Sequence, residues 1–405
     1  MDILYIGKLF PKNLINNIDK YSKGKMGYSN HNFENSIVNG LCQQEGINLS
    51  CIIVPGVYSF PNNNQKLFTE SESYDYLNTH IYSVGFCNLI GIKEIWMMLS
   101  CAKKILYVSK LFKEDIVHVI INTPDSRLIK ALHIAQKFSD KKFTQTVIIP
   151  DIPSMVTSMD RHSFFKSLLI RVRDHEDMRY ASMSDGLVLL TEAMMDFISK
   201  PVKHIVMEGI VDVGSIDTPQ FFVDSNKKRI VYTGTLRRLF GVKNLLDAFS
   251  MLPNPDVELW ICGSGELKNT IEKAAEKDHR IKFYGLVDRE CALMMQRKAT
   301  ILVNPRTSEG AYTKYSFPSK VIEYMLSGRS VVINKLPGIP DEYYQYVYSP
   351  EDESVESLAK CLSRVLSIKE NIRNQFAQKG REFIIYNKNS KIQMRRVLDL
   401  INSYL

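Results

Sequence analysis

The sequence lacks a long apolar run, a paired-cysteine pattern and a histidine cluster. A transmembrane helix needs about 20 apolar residues, and the most apolar stretch, residues 89–112, is interrupted by lysines and a glutamate. The seven cysteines are scattered, without a Cys-x-x-Cys pair. This excludes a disulfide framework and a zinc site and favours reduced thiols in a cytoplasmic setting. The first seven residues lack the basic segment of a signal peptide and predict a strand.

A strongly basic stripe is also missing. The net charge is +8, of which residues 1–210 contribute +2 and the remainder +6. No basic segment is interleaved with aromatic residues, so the charge does not indicate a nucleic-acid partner. The mild excess in the second half suits a small anionic ligand.

The length of 405 residues, 45% hydrophobic and 24% charged, predicts two domains with full cores. In the first half, short β-rich runs alternate with helical periodicity, which is typical of a mainly parallel, doubly wound sheet with ligands at the carboxyl ends of its strands. A polar, aperiodic segment then marks a boundary. We predict a first domain over 1–212, a linker over 213–228, a second domain over 229–385 and a closing helix over 386–405 that packs back on the first domain.

The predicted elements of the first half are these. Strands are expected at residues 2–6, 49–54, 81–84, 116–120, 144–149, 187–190 and 204–207. Helices are expected at residues 32–44, 89–112, 125–139, 163–183 and 192–198.

Residues 303–328 carry the strongest functional pattern. An apolar strand ends at an Asn-Pro pair, a polar loop follows, and a helix begins at Ser319, which occupies an N-cap position. A helix N-terminus favours anions such as phosphate, and Arg306 and Lys320 add cationic donors. Glu323, one turn into the helix, suits the acceptance of hydrogen bonds from a sugar diol. Together these features predict a pocket for a nucleotide diphosphate.

This stretch resembles the donor-binding loop and helix of retaining GT-B glycosyltransferases, in particular the family 4 enzymes of capsule and exopolysaccharide assembly. Those enzymes show two glutamates separated by seven residues around a Gly-Phe-Gly loop. Glu323 matches the second glutamate, to which the resemblance assigns the ribose hydroxyls. Tyr315 stands at the first position, and the loop differs, so Glu309 is our candidate for holding the sugar hydroxyls. The loop residues assigned to donor binding are Ser316, Phe317, Pro318 and Ser319.

Three further loops of the second half resemble donor-binding loops of the same family. After the strand that begins at Arg229, a glycine-bearing loop with two arginines precedes a helix, which is a phosphate-cradle layout. Thr235 occupies the position of the family's arginine and Phe240 that of its lysine. The positive charge beside the phosphates must then come from other cations of these loops. The alternative is that these cations only coat the surface. The candidates in the three loops are Gly234, Thr235, Arg237, Arg238, Lys243, Gly263, Gly285 and Leu286.

In the first half, Asp151 follows a predicted strand, where a doubly wound sheet places working residues. It could orient or deprotonate an acceptor hydroxyl, or it could be an ordinary turn aspartate before a proline. The loop after Gly7 and the segment 23–29 resemble loops that approach the donor in related enzymes; plain surface loops are the alternative. His118 lies inside an apolar strand, where a core position is favoured over a catalytic one.

Residues 161–173 form a basic amphipathic pattern. Such a helix could lie on an anionic membrane surface, or its apolar face could pack into the core. Lipid-linked acceptors are typical of the resembling enzymes, which adds support to the membrane interpretation, but the helix packed into the core is the favoured alternative. We therefore expect a cytoplasmic protein, with peripheral contact at the inner face of the membrane left as an open alternative.

The resemblance implies a GT-B protein with two Rossmann-like domains facing each other across a cleft. The implied reaction moves a sugar, with retention, from a nucleotide-diphosphate donor, expected to be a UDP-sugar, to a hydroxyl of a glycan acceptor, expected to be lipid-linked. The sequence has no Asp-x-Asp triplet, and the resemblance implies no metal and no cofactor. Asp151, Glu309 and Lys320 are the candidate catalytic residues. A nucleotide-sugar epimerase on the same fold and a non-catalytic nucleotide- or glycan-binding relative remain alternatives.

Overall fold

A computed structural model describes residues 1–9, 28–61, 64–152, 154–155, 164–215 and 227–404. Its contacts divide the chain into two units, Met1–Asp212 with Asn389–Leu405, and Val213–Lys388. Most of the segment 23–29 and of the predicted linker lies outside the described residues. Both units contain mainly parallel sheets flanked by helices, which confirms the predicted α/β class.

The first unit is built on an eight-stranded sheet in the order β10-β9-β8-β7-β1-β2-β5-β4, parallel except for the pair β4–β5. A separate antiparallel pair joins β3 and β6. The strands are β1 (Asp2–Gly7), β2 (Asn48–Ile53), β3 (Phe68–Thr69), β4 (Ser73–Tyr76), β5 (Thr79–Ser83), β6 (Phe86–Cys87), β7 (Ile116–Asn122), β8 (Lys142–Ile149), β9 (Gly186–Leu189) and β10 (Lys203–Val206).

The helices of the first unit flank this sheet. The last helix of the chain packs against the first, where the side-chain amide of Gln44 donates to the carbonyl oxygen of Lys391 at 2.8 Å. The helices are α1 (Tyr28–Cys42), α2 (Lys93–Ser109), α3 (Ser126–Phe138), α4 (Phe164–Ala181) and α11 (Ser390–Ser403).

The central strand β1 shows why the sheet is parallel. Residues 3–6 are apolar without alternation, and all four are completely buried. A strand covered by helices on both faces needs such a continuous apolar run, because neither face meets water. His118 in β7 is likewise buried, with Nδ1 2.6 Å from Oγ1 of Thr144 in the neighbouring strand, which fits the core interpretation.

Two predictions for the first unit are wrong in detail. The hairpin β4–β5 was not predicted, because its turn, Leu77-Asn78, lacks glycine and places Leu77 at a φ of 49°, a backbone conformation that a leucine rarely adopts. The predicted helix at 192–198 is a 3-10 helix over Glu192–Phe197. Six residues give too few hydrogen bonds to offset the nucleation cost of an α-helix.

The second unit is built on a five-stranded, fully parallel sheet in the order β13-β12-β11-β14-β15. Its strands are β11 (Lys228–Thr233), β12 (Val257–Cys262), β13 (Ile281–Phe283), β14 (Ile301–Asn304) and β15 (Ser330–Ile333). Its helices are α5 (Val242–Ser250), α6 (Lys268–Lys277), α7 (Arg289–Arg297), α8 (Lys320–Leu326), α9 (Val355–Ser367) and α10 (Glu370–Asn387).

None of the helices in the described part of the chain is long and apolar enough to cross a membrane.

Two glycines allow the loops at the carboxyl edge of the second sheet to touch through their backbones. A Cβ atom at Gly241 would lie 1.8 Å from the carbonyl oxygen of Pro305, and one at Gly263 would lie 1.8 Å from that of Gly234. Both glycines also have positive φ, at 73° and 143°. Glycine is therefore required at both positions for space as well as for backbone conformation.

We predict that Gly263→Ala destabilises the second unit by about 2–3 kcal/mol, because the new methyl group meets backbone in a conformation that only glycine adopts readily. Gly285→Ala is the matched control. Gly285 also has a positive φ, of 65°, but a Cβ there meets nothing within 4 Å, so a loss of about 1–2 kcal/mol is expected. Thermal unfolding of both variants checks this, and equal losses would contradict the role of the close approach.

Candidate functional site

The candidate donor-binding residues lie at one edge of the second sheet. Parallel strands end at the same edge, so the loops after β11, β12, β13 and β14 meet there. These four loops contain, respectively, Gly234 with Thr235, Gly263, Gly285 with Leu286, and Arg306 with Glu309. The sequence candidates are thus brought together by topology.

Backbone hydrogen bonds tie three of these loops into a stack. The N–H of Gly234 donates to the carbonyl of Cys262 at 3.0 Å, and that of Gly263 donates to the carbonyl of Gly285 at 2.7 Å. The N–H of Leu236 donates to Ser264 at 2.9 Å. The edge is therefore a connected backbone surface and not a set of independent loops.

Glu323 is an acidic group that hydrogen bonds hold at this edge. Its Oε1 accepts hydrogen bonds from Nζ of Lys320 at 2.7 Å and from the side-chain amide of Gln296 at 2.6 Å. The same amide nitrogen donates to Oγ1 of Thr233, the last residue of β11, at 2.9 Å. Glu323 is thereby fixed next to the end of the central strand, with about a quarter of its side chain exposed.

The carboxylate of Glu323 is kept ionised. Burial would raise its pKa, but the charge of Lys320 and the hydrogen bonds from Lys320 and Gln296 outweigh burial, so the pKa lies below its usual value. The buried Tyr324 supports the arrangement from behind, because the backbone N–H of Thr233 donates to its hydroxyl at 2.9 Å. An ionised, partly exposed carboxylate is a strong acceptor for sugar hydroxyls.

Ser319 occupies the N-cap position of α8, as predicted, but its side chain does not cap the helix. Ser319 has helical angles, φ −51° and ψ −24°, and makes no side-chain cap hydrogen bond. An N-cap side chain reaches the first-turn N–H groups from extended backbone. Here the carbonyl of Pro318 already accepts from the N–H of Val321 at 2.9 Å, so helical geometry begins before the serine.

Arg306, which the sequence analysis predicts to be a cationic donor for phosphate, packs against aromatic rings. Its guanidinium lies over the rings of Phe240, at 4.4 Å, and Tyr312, at 5.5 Å. Burial lowers its pKa, and its Nε is buried without a hydrogen-bond partner within the described ranges. Phe240, the residue in the family's lysine position, thus holds Arg306 by a cation–π contact.

The remaining cations of the edge differ in availability. Lys243 forms a close ion pair with Asp247 one turn later in α5. Arg238 is exposed; its backbone N–H donates to Oε1 of Glu266 at 2.8 Å. Its guanidinium has no hydrogen bond or ion pair to any residue that the structure describes. Arg237 is half-buried.

The loop before α8 packs on a turn that follows β15. Phe317 is buried with its ring centre 5.3 Å from that of Tyr343. A Cβ at Gly338 would lie 2.4 Å from the carbonyl oxygen of Ser316, so this turn supports the loop closely. Pro318 is buried beside it, and Glu309 is exposed.

In the first unit, Gly7 ends β1 beside a buried acid. Oε2 of Glu34 accepts from the N–H of Lys8 at 2.7 Å and from the hydroxyl of Tyr5 at 3.2 Å. Burial raises the pKa of Glu34 to about 7, and the hydrogen bonds only partly oppose this. The residue is unrecognisable as special in the sequence, because it sits within a helix of mixed composition.

Asp151 lies just after β8, at the carboxyl edge of the first sheet. Its side chain has exposed surface, yet the protein around the carboxyl group raises its pKa to about 6. A carboxylate with a pKa near neutrality can accept a proton under working conditions. Pro153, the proline two positions after Asp151, is outside the described residues.

Residues 161–163 of the basic amphipathic pattern predicted at 161–173 lie outside the described residues, and the rest falls on α4, whose first described side chain is Ser167. Leu168, Leu169 and Val172 are exposed. The alternative in which this part of the face packs into the core is therefore wrong.

Sequence reasoning missed the residues that hold Glu323. Gln296 lies 27 positions before Glu323, and Thr233 lies 91 positions before Tyr324. Neither residue belongs to a motif, so only the fold brings them together. Within the described residues, no group of three His, Cys, Asp or Glu side chains is placed to hold a metal ion.

Comparison with known families identifies the second unit. Residues 227–367 match the family described as Glycosyl transferases group 1. These residues include β11 to β15 and every candidate of the carboxyl edge. A search of curated proteins finds no match to the sequence.

Solved structures match over the whole chain. Sucrose-phosphate synthase from Thermosynechococcus elongatus is 13% identical with a TM-score of 0.59, and all of both chains is covered. The catalytic domain of starch synthase IV from Arabidopsis thaliana is 10% identical with a TM-score of 0.65, covering 100% of this chain and 99% of that one. TarM of S. aureus is 13% identical with a TM-score of 0.60, covering 99% and 100%.

These similarities define the class of protein. The structural neighbours are GT-B glycosyltransferases, so the chain has the GT-B fold. Residues 227–367 of the second unit are similar to the group 1 glycosyltransferases, and the chain is an enzyme of the glycosyltransferase class.

We predict that the stability of the first unit falls as the pH rises from about 4.5 to about 7. The folded-state pKa of Glu34 is raised from 4.5 to about 7, so the folded state holds its proton more tightly and loses this advantage as the pH passes 7. The loss is about 3 kcal/mol at most. Glu34→Gln stays neutral and should lack this dependence.

Urea unfolding at pH 5 and pH 8, with hydrogen exchange of α1 as the local probe, measures this difference. The exposed Glu45→Gln is the control and should behave as the wild type. An unchanged pH dependence in Glu34→Gln would show that Glu34 is not the group responsible.

Proposed function

We propose that the protein transfers a sugar, with retention, from a UDP-sugar to a hydroxyl group of a glycan acceptor in cell-surface polysaccharide synthesis. The observation that carries this proposal is the Lys320–Glu323 pair at the carboxyl edge of the second sheet. The two side chains meet at 2.7 Å, both partly exposed, within a domain of the glycosyltransferase group 1 family. A carboxylate and an ammonium in contact present an acceptor for a diol beside a donor for a phosphate.

Glu323 is proposed to bind the ribose hydroxyls. Its carboxylate is ionised, and Gln296 fixes its orientation, so hydroxyl donors meet an acceptor that needs no rearrangement. The nucleobase would then lie along the stacked loops that contain Gly263 and Gly285. These loops are joined by the hydrogen bond from the N–H of Gly263 to the carbonyl oxygen of Gly285, at 2.7 Å. This ordering follows the edge of the sheet from β11 outward to β13.

Lys320 and Arg238 are proposed to bind the diphosphate. Lys320 is about 40% exposed, and Arg238 is exposed with its guanidinium unengaged by described residues. Lys243 is already neutralised by Asp247, and Arg306 is held against Phe240. Cations fixed beside the leaving group stabilise the charge that develops there, so we propose that no metal ion is needed.

The proposed reaction breaks the bond between C1 of the sugar and the diphosphate oxygen, and the electron pair stays on the diphosphate. The acceptor hydroxyl oxygen forms the new bond to C1, and its proton passes to a base. Asp151, with a pKa of about 6, suits that role. Glu309, exposed in the loop after β14, is proposed to bind hydroxyls of the transferred sugar.

UDP is proposed because neighbours of the same fold use it. The TarM structure contains UDP, and a trehalose-phosphate synthase neighbour is described as UDP-forming. The starch synthase neighbour is bound to ADP, so an adenine nucleotide is the alternative outcome of a binding test.

A lipid-linked acceptor and contact with the inner face of a membrane are supported by the outer face of α2. Ile92, Ile95, Trp96 and Leu99 are all exposed, and their spacing places them on one side of the helix. Lys103 continues this face one turn later. Exposed aromatic and aliphatic side chains beside lysine are typical of a surface that binds anionic lipid.

We predict that Glu323→Gln weakens binding of both uridine and UDP, by about 10- to 100-fold, because hydrogen bonds to a charged acceptor are worth roughly 1.5–3 kcal/mol. Lys320→Gln should weaken UDP much more than uridine, because uridine has no phosphate and Gln296 still orients Glu323. Calorimetric titration of each variant with both ligands measures this.

The exposed Glu276→Gln on α6 is the control for the first change and should bind as the wild type. If Glu323→Gln binds uridine normally, the ribose assignment is wrong. If Lys320→Gln loses uridine as strongly as UDP, Lys320 acts through the structure of the pocket and not on phosphate.

We predict that Trp96→Gln lowers the fraction of protein that sediments with phosphatidylglycerol vesicles by about tenfold, since each buried aromatic side chain contributes roughly 1.5–3 kcal/mol. Phe138→Gln is the control, because Phe138 is also highly exposed but lies on α3. Equal losses in the two variants, or no sedimentation of the wild type, would contradict a membrane-binding face on α2.

A further inference from the structure

A cavity of about 560 Å³ lies in the first unit at the carboxyl edge of its sheet. It is bordered by the ends of β1 and β2 and by side chains of α2, α3 and α4. Four cationic side chains line it, against one lining carboxylate, that of Glu94. The cations are Lys8, Lys93, Arg127 and Arg173.

One buried carboxylate holds three of these cations. Asp125 is 3% exposed, and its Oδ2 lies 2.6 Å from Arg127, 3.2 Å from Lys8 and 4.0 Å from Arg173. Arg173 also lies 3.7 Å from Asp177, and Arg127 lies 3.7 Å from Glu94. Among the described residues, the four cations face the carboxylates of Asp125, Asp177 and Glu94, and Glu34, whose pKa is raised to about 7, also lies near Lys8. Because Glu34 is only partly ionised at neutral pH, positive charge remains in excess within this set.

Lys93 makes the excess more pronounced. It is buried, and its ammonium donates to the carbonyl oxygen of Val57, while no carboxylate in the described ranges forms an ion pair with it. Burial lowers its pKa, and the charges of Arg127, Arg173 and Lys8 lower it further, although Glu94 opposes them. Buried lysines are normally paired with an acid, so a charge of opposite sign in the cavity would relieve both burial and repulsion.

The donor types indicate phosphate. Guanidinium groups bind phosphate oxygens in pairs, and ammonium groups add compact charge. The volume lies within the range of small-molecule sites and exceeds that of a phosphate group alone. Ile90, a lining residue, is exposed, and the apolar face of α2 begins two residues later at Ile92. The cavity therefore joins a cationic wall to an apolar rim.

We propose that this cavity binds a phosphate group carried by the acceptor substrate. The proposal rests on the proposed function, because it supposes that an acceptor binds to the first unit. The phosphate belongs either to the head of a lipid-linked acceptor or to a soluble sugar phosphate, and both present the same group to the four cations.

The test uses the full-length chain saturated with UDP, which occupies the donor site. Glucose 1-phosphate is titrated by calorimetry, with glucose as the uncharged reference. In a second arm, sedimentation is compared between neutral phosphatidylcholine vesicles with and without dodecyl phosphate. Binding of glucose 1-phosphate indicates a soluble sugar phosphate, whereas binding only to dodecyl phosphate vesicles indicates a lipid head group.

Arg173→Gln should weaken the responding probe about tenfold, and Lys8→Gln should act in the same direction. Both side chains are partly exposed, so they can be replaced with less risk to folding than Arg127 or Lys93. Arg171→Gln is the matched control, because it removes the same charge from the same helix outside the cavity lining. Lys320→Gln is the control for binding at the donor site.

Equal weakening in Arg171→Gln and Arg173→Gln would reduce the effect to general electrostatics and overturn the proposal. If UDP binds and neither phosphate probe does, the cavity proposal fails and the donor assignment stands. If UDP does not bind but Arg173→Gln abolishes binding of a phosphate probe, the proposed function fails and the cavity remains a phosphate site. A loss confined to Lys320→Gln would place the probe at the donor site and overturn the proposal.

Discussion

The hydrogen bonds that fix Glu323 are the interaction on which the account of the second unit depends. A carboxylate this close to the core would hold a proton if burial acted alone, and it would then be a poorer acceptor for sugar hydroxyls. Lys320 and Gln296 keep it ionised and oriented, while Thr233 and Tyr324 anchor Gln296 and the helix to the end of β11. The chemistry of the edge thus follows from the packing beneath it.

The two units hold charge at their carboxyl edges in different ways. In the second unit, Lys320 and Glu323 neutralise each other and remain partly exposed, so a ligand with both hydroxyl and phosphate groups can replace their mutual contact. In the first unit, one buried aspartate is shared among several cations, and the partner of Lys93 among the described residues is a carbonyl oxygen. This leaves positive charge that an anion can balance. A reaction between an anionic donor and an anionic acceptor would need both arrangements.

The parallel sheets were predictable because their strands are continuous apolar runs, as in residues 3–6 and 301–303, and because the loops that follow parallel strands must meet at one edge. The details that failed depend on geometry without a sequence signal. Leu77 forms a turn without glycine, and Ser319 is already helical and cannot cap. The contact between Glu323 and Gln296 spans 27 positions of the chain. The cationic cavity of the first unit brings together Lys93 and Arg173, which belong to separate helices. Such pairs appear only after folding.

The most direct test of the central claim is calorimetric titration of the chain with UDP, GDP and ADP, first in EDTA and then with magnesium. A ligand that binds the native state also raises its stability, so thermal unfolding gives an independent reading of the same titration. The account predicts binding of UDP in preference to the others, with the same affinity with and without magnesium. Absence of binding by all three nucleotides, or binding that requires magnesium, would contradict a cation-lined donor site organised around Glu323 and Lys320.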